Sequence, residues 1–280
     1  MGIKNFIMKS KNYLSNLNKI SKELKKKILD ISYNKKIHHI GSCLSCVDIL
    51  TALYFGFMKI NKTKIHKNDR FIMSKGHAAL TYYLMLMKKK FFSEQFLIKE
   101  YLTNNGKFGG HPDTNVSLGI DFCSGSLGNG LSVASGMAYI YKKDKKNNRV
   151  FVLIGDGECN EGIIWEAALF SAHHKLKNLY AVLDYNKLQG FGSTKNIINL
   201  ESIKFKFQSF NWNVVEVDGH NIQNIIRGLK NLKKFNEKPN LIIAHTIKGK
   251  YVKFMENRFE SHYKVLNENE YKISIKGLDN

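Results

Sequence analysis

The chain has 280 residues, 43% of them hydrophobic and 24% charged, which is globular composition and too apolar for a disordered chain. Its formal net charge is +21, yet the 44 basic residues are 40 Lys and only 4 Arg, and the lysines run along the whole chain instead of forming one stripe. Base-edge readout leans on the guanidinium fork, so this balance argues against nucleic acid as a partner; codon drift toward Lys, Asn and Ile accounts for the excess.

No uninterrupted apolar run approaches the ~18 residues of a membrane span, so no membrane partner is expected. The N-terminal MGIKNFIMKSKNYLSN has no continuous apolar core of the kind a secretory signal carries. Four cysteines (Cys43, Cys46, Cys123, Cys159) are too few and too scattered for a disulfide scaffold, and Cys43-x-x-Cys46 has no second pair to complete a zinc site. Reduced thiols in a cytoplasmic setting are expected. Only Pro112 and Pro239 occur, and no Ser/Pro/Gly-rich linker divides the sequence, so residues 1–280 read as a single domain.

In chain order, residues 10–30 read as a basic amphipathic helix, with Leu14, Leu17, Leu24, Ile28 and Ile31 near helical spacing. A second helix is expected from Cys43 to Phe57, and a third from His77 to Lys88 through the Ser74–Gly76 turn. Glycines then crowd residues 106–136. From there the pattern alternates: strand 149–154 (RVFVLI), amphipathic helix 162–175, strand 179–184 (LYAVLD), then strands 212–217 (WNVVEV) and 240–246 (NLIIAHT). Continuous apolar strands alternating with helices predict an α/β fold, a mostly parallel open sheet flanked by helices.

The chemistry concentrates between Val150 and Gly192. Asp156 follows one strand within Gly155-Asp156-Gly157, and Asn186 follows the next strand, 30 residues on, about one βαβ unit. In open α/β sheets, ligands sit at the carboxyl ends of the strands. If the two strands are parallel neighbours, a carboxylate and an amide oxygen emerge together, hard ligands that suit Mg²⁺ with phosphate oxygens. The glycines let backbone approach a phosphate closely.

This GDG…N arrangement resembles the diphosphate-binding motif of thiamine-diphosphate enzymes. The wider pattern is similar to the N-terminal half of transketolases: HIGSCLS (39–45), DRFIMSKGHAAL (69–80), GGHPD (109–113), SGSLGNGLSVASGMA (124–138), GDGECNEGIIWEA (155–167) and HTIKGKYVKFMEN (245–257), all in the family's order. The resemblance implies thiamine diphosphate and Mg²⁺ as cofactors, with Asp156, Asn186 and the carbonyl of Leu188 as metal ligands. It assigns Gly157 to the diphosphate, and Gly125, Ser126 and Leu127 to the aminopyrimidine. It makes His39, His77, His111 and His262 active-site histidines, with His77 near the diphosphate and the others near the sugar. His262 also falls among the cofactor contacts. Glu161 resembles a glutamate in a proton-sharing network at a subunit interface. Residues 1–30 become an N-terminal helical segment, and residues 246–280 an active-site loop and tail.

Ketol transfer uses the cofactor as electron sink, leaving proton traffic and hydroxyl recognition to the protein, tasks that suit imidazoles. The chain departs from the family at three places in the C-terminal loop: Ser261-His262-Tyr263 stands for Trp-His-Gly, and Tyr251 for Gly. Asn129 stands for Gln. No segment resembles the family's pyrimidine-binding domain, which carries the glutamate that activates the cofactor. A C-terminal transketolase subunit bearing that domain is therefore the expected partner, in an α₂β₂ assembly acting on sugar phosphates. The alternatives are another thiamine-diphosphate carboligase such as deoxyxylulose-phosphate synthase, or a degenerate domain that binds without catalysis.

Overall fold

In the computed structural model, which describes residues 2–232 and 237–279, helix α1 (Gly2–Lys35) leads into α2 (Ile40–Thr51), prolonged by a π-helical turn, Ala52–Phe57. Strand β1 (Arg70–Met73) follows, then α3 (Ala79–Lys88), α4 (Glu94–Glu100) and α5 (Asn129–Lys143). Next come β2 (Val150–Gly155), α6 (Gly162–His173), β3 (Leu179–Tyr185), α7 (Thr194–Ile197) and α8 (Ile203–Ser209). β4 (Asn213–Asp218), α9 (Ile222–Leu232), β5 (Asn240–His245) and α10 (Glu268–Asp279) complete the order.

All strand pairs are parallel, in the order β1-β2-β3-β5-β4. Alternation along each strand decides what covers each face. Phe71, Phe151, Leu153, Tyr180, Val182 and Ile242 pack with α1, α2, α3 and α9 in one apolar layer. Val150, Val152, Ile154, Ala181, Leu183 and Ile243 pack with α5, α6 and α8 in the other. Burying a side chain of this size is worth ~1.5–3 kcal/mol, so β2 and β3, buried along their length on both faces, anchor the fold.

Several expectations need correction. β1 carries no separate signal within its motif, because four residues are too short for a periodicity. The glycines of residues 124–138 hide α5, whose Gly130 is a packing position. The strand at 212–217 is not buried through its length: β4 lies at the sheet edge and alternates between half-buried and exposed residues. Helix α6 is apolar all round instead of amphipathic, and it leaves Leu169 and Phe170 exposed. The tail holds a full helix, α10, whose Tyr271 stacks on Tyr33 of α1 at 4.5 Å. Finally, Ile40–Phe57 does reach membrane-like length and composition, with a mean hydropathy of 1.6, but 83% of it is buried inside the protein. It is a core helix whose Ser42, Ser45, Asp48 and Thr51 find polar partners. Cys43 and Cys46 lie within it, buried and free, and Met85 and Met87 are packed in α3.

Gly130 lets α5 settle against the end of β1: a Cβ there would meet Ser74 Oγ at 2.3 Å and Ser74 Cα at 2.9 Å. Gly130→Ala is expected to destabilise the chain by about 1–3 kcal/mol, the usual range for overpacking, despite the better helix propensity of Ala. An unchanged urea midpoint would show that α5 can shift away from the sheet without loss.

Candidate active site

β2 and β3 pair in register through Gly155↔Asp184, and β3 and β5 through Tyr185↔His245. The residues after each strand therefore emerge at one edge, where a cavity of about 320 Å³ opens. Asp156 and Asn186 both line it, as do Gly157 and Leu188. Asp156 is 3% exposed, accepting from the Gly157 N–H at 2.8 Å and from the Lys187 N–H. Asn186 Oδ1 accepts from the Leu188 N–H at 3.1 Å. Burial first, and then the neighbouring Asp184 carboxylate, push Asp156 up to about 7. A cation bound at that carboxylate would reverse both effects, since it supplies the positive charge the site lacks there.

Four of the expected histidines converge. The His39 ring lies 4.4 Å from His262, 5.5 Å from His77 and 6.2 Å from His111, and His77 lies 5.1 Å from His262, centroid to centroid. His77 follows β1, His39 precedes α2 and His262 lies in the short turn before α10. The His39 backbone N–H donates to the His262 carbonyl at 3.0 Å, so the departures at Ser261 and Tyr263 leave His262 inside the cluster. Burial, followed by neighbouring cations and imidazoles, lowers His39 to about 4 and His262 to about 3, and holds His77 well below its ordinary value. All three are neutral at pH 7. In that state they serve as hydrogen-bonding groups, with His39 Nδ1 buried and unpaired.

The remaining expected residues sit at the rim. Gly125, Ser126, Leu127, His111 and Glu161 are exposed, although Leu127 and Glu161 line the cavity mouth. His111 also lines a second, mostly apolar cavity of about 190 Å³ that shares His39 and His77 with the first.

Four participants carry no signal in the sequence: Lys75, Lys248, Asp184 and Glu158. Lys75 and Lys248 line the cavity although only 1% and 2% of each is exposed. Among 40 lysines, neither stands out. Lys75 pairs with Asp184, which also accepts from Ser45 at 2.5 Å and from Thr246. Burial raises Asp184, but Lys75 and these hydroxyls outweigh it and keep the carboxylate ionised. Lys248 has no carboxylate partner among the described residues; its ammonium donates to His262 Nδ1 at 3.0 Å. Burial and then Lys75 lower it to about 8. Glu158 accepts from Ser74 Oγ at 2.5 Å, the Gly128 N–H at 2.9 Å and the Gly155 N–H at 2.8 Å, tying the ends of β1, α5 and β2 together.

These groups fit a metal–diphosphate. A carboxylate poised for a cation stands beside two buried ammonium groups, and Gln189 Nε2 and Asn160 Oδ1 are buried in the lining without partners. A doubly charged anion carrying a hard divalent ion satisfies every one of them.

Residues 18–278 match the family model described as "Transketolase, thiamine diphosphate binding domain". One of the two chains of an apulose-4-phosphate transketolase from Phocaeicola vulgatus is 41% identical over 262 residues, 91% of this chain and 91% of that protein. The 6-deoxy-6-sulfo-D-fructose transketolase subunit SqwG of a Clostridium species is 38% identical over 246 residues, 87% of this chain and 89% of its own length. Among solved structures, transketolase from Campylobacter jejuni superposes with a TM-score of 0.85 at 27% identity, covering 96% of this chain. The chain spans only 43% of that larger enzyme.

Because Lys248 titrates near 8, pyrophosphate affinity should be flat below about pH 8 and fall above it, as the ammonium that meets the anion is lost. Lys248→Arg, which stays charged, should hold affinity flat through about pH 9.5. Calorimetric titrations of both proteins from about pH 6.5 to 9.5 check this; identical profiles would remove Lys248 from the anion site.

Proposed function

The chain belongs to the transketolase family, and from that premise we propose that it is the cofactor-binding N-terminal subunit of a two-chain transketolase, moving a two-carbon ketol unit between phosphorylated sugars. The observation that carries the reading is the meeting of Asp156, Asn186, Lys75 and Lys248 around one cavity beside the histidine cluster. Two relatives with nearly full mutual coverage are named as transketolase subunits, which supports a second chain as the source of the rest of the enzyme.

In this reading Asp156, Asn186 and the Leu188 carbonyl hold Mg²⁺. Lys75 and Lys248 neutralise the diphosphate, and Gly157 offers its N–H once the metal draws the Asp156 carboxylate away. Thiamine diphosphate, when bound, supplies the electron sink that breaking a bond beside a carbonyl requires. Neutral His39, His77 and His262 donate to and accept from the sugar's carbonyl and hydroxyls, and exposed His111 reaches the hydroxyls nearer the mouth. Gly125, Ser126, Leu127 and Glu161, all at the rim, face the surface on which the partner's pyrimidine-binding domain would close. Four free cysteines fit a reducing, cytoplasmic compartment.

Asp156→Ala should weaken Mg²⁺-dependent thiamine diphosphate binding roughly 10²-fold or more, because it removes the one carboxylate of the proposed metal set. His39→Ala and His111→Ala should each lower turnover by roughly 10²–10⁴-fold and leave cofactor affinity in place. The assay pairs a ketose-phosphate donor with an aldose-phosphate acceptor, run on the chain alone and with a companion chain carrying the pyrimidine-binding domain. Turnover only in the mixture supports the reading; robust turnover by the single chain overturns the two-chain assignment.

A further inference from the structure

Lys248 is held in the cavity against its own electrostatics. It faces Lys75 beyond the end of β1, His39, His77 and His262 beside it, and Asp156 and Asp184 at the ends of β2 and β3. Its only described hydrogen bond goes to a neutral imidazole. An ammonium in that position gains by swinging out to water, so something outside the cavity must hold its backbone. The loop after β5 is pinned three times. The Ile247 N–H donates to His220 Nε2 at 2.8 Å, and the Gly249 N–H to the Gly41 carbonyl at 3.0 Å. The Tyr251 hydroxyl donates to Asp48 Oδ2 at 2.6 Å.

Two of those pins converge on one carboxylate. His220 accepts from Ile247 through Nε2, so its Nδ1 carries the proton and faces Asp48 Oδ2 at 3.3 Å. Asp48, 2% exposed in the middle of α2, also accepts from Ser21 at 2.5 Å and Lys25 at 2.8 Å of α1. Lys25 stands 3.6 Å over the Tyr251 ring. Tyr251 adopts φ 78°, the left-handed region where a glycine is at ease and a side chain is strained. A tyrosine kept there against that strain has to be returning something, and its one polar side-chain contact is the bond to Asp48.

We propose that Tyr251 is a positioning residue that fixes the 246–257 loop, and with it Lys248, against the cavity by donating to the buried Asp48 carboxylate; the inference rests on the reading of that cavity as a diphosphate site. Tyr251→Phe removes only the hydroxyl, and Tyr251→Gly removes it while relieving the backbone, so the two together separate the bond from the strain.

The test is made on the full chain. Amine-reactive labelling of Lys248, followed by peptide mass spectrometry across about pH 6.5–10.5, reads its environment without any cofactor. In the wild type, half-maximal reactivity is expected near pH 8. In both variants it should move up toward the ordinary lysine value of about 10.4, because the freed side chain reaches solvent. Amide exchange should quicken across residues 246–257, and Mg²⁺–thiamine diphosphate affinity should fall about tenfold, the scale of one hydrogen bond to a charged group. The Gly variant should keep the wild-type melting temperature within a few degrees. Unchanged Lys248 reactivity in both variants overturns the proposal even if they melt earlier, since loss of packing alone would do that. Wild-type chain that binds no cofactor overturns the diphosphate reading, and the labelling shift then still decides the latch.

Discussion

Two ammonium groups are buried at one end of the sheet, and only one of them, Lys75, has a carboxylate partner among the described residues. Burying an ion without a partner carries a penalty of several kcal/mol after relaxation. That excess positive charge sets the character of everything nearby. With burial as the larger cause, it keeps three imidazoles neutral at pH 7 and lowers Lys248 into the range where it can titrate. It also makes the cavity a place where an anion resolves the imbalance, and where a cation is welcome only at Asp156, the carboxylate that lies away from the Lys75–Asp184 pair. The start of α2 adds to this field, since Ser42 in its first turn lines the cavity and helix N-termini favour anions.

Such a site is stable only if the surrounding fold is rigid, and the two apolar layers provide that rigidity. β2 and β3, buried on both faces, set the heights of Asp156 and Asn186 through their register. Glu158 is buried for the same purpose: three donors from three segments converge on it, so the turns after β1 and β2 and the start of α5 move together. Asp48 does the corresponding work on the other face of the sheet. Burial raises it, but His220, Lys25 and Ser21 outweigh that and hold it ionised, at about 2. Each of these carboxylates has its lone pairs filled by specific donors, which is the condition under which a buried charge specifies a structure instead of disrupting it.

The central sheet was legible because its strands are buried on both faces and so read as unbroken apolar runs. Asp156 and Asn186 were legible because parallel neighbouring strands turn a spacing along the chain into a meeting in space. Other parts left no such trace. β4, at the edge, mixes polar and apolar residues in the manner of its half-covered position. α5 begins in a glycine-rich stretch whose Gly130 serves close packing against Ser74, so helix propensity points the wrong way there. Lys75 and Lys248 are chemically identical to dozens of surface lysines, and only burial distinguishes them. Tyr251 registered as a departure from a family pattern, while its reason, a hydroxyl meeting a carboxylate 203 residues earlier, exists only in the folded chain.

The distribution of exposure around the cavity carries the last step. Its floor is dry and densely bonded, whereas its mouth is ringed by Gly125, Ser126, Leu127 and Glu161, all exposed, with Phe191 at 87% exposure in the lining. A pocket meant to work in isolation buries its aromatic residues and excludes water from above as well as from below. Here the apolar material stands outward, around an opening whose base is already complete. Further along, Leu169 and Phe170 of α6 and Ile140 of α5 extend the uncovered apolar surface away from the mouth. The geometry therefore divides the proposed labour. This chain binds the charged end of the cofactor and orients neutral imidazoles toward the sugar, and the cover over the mouth, together with the acid that activates the cofactor, belongs to the companion chain.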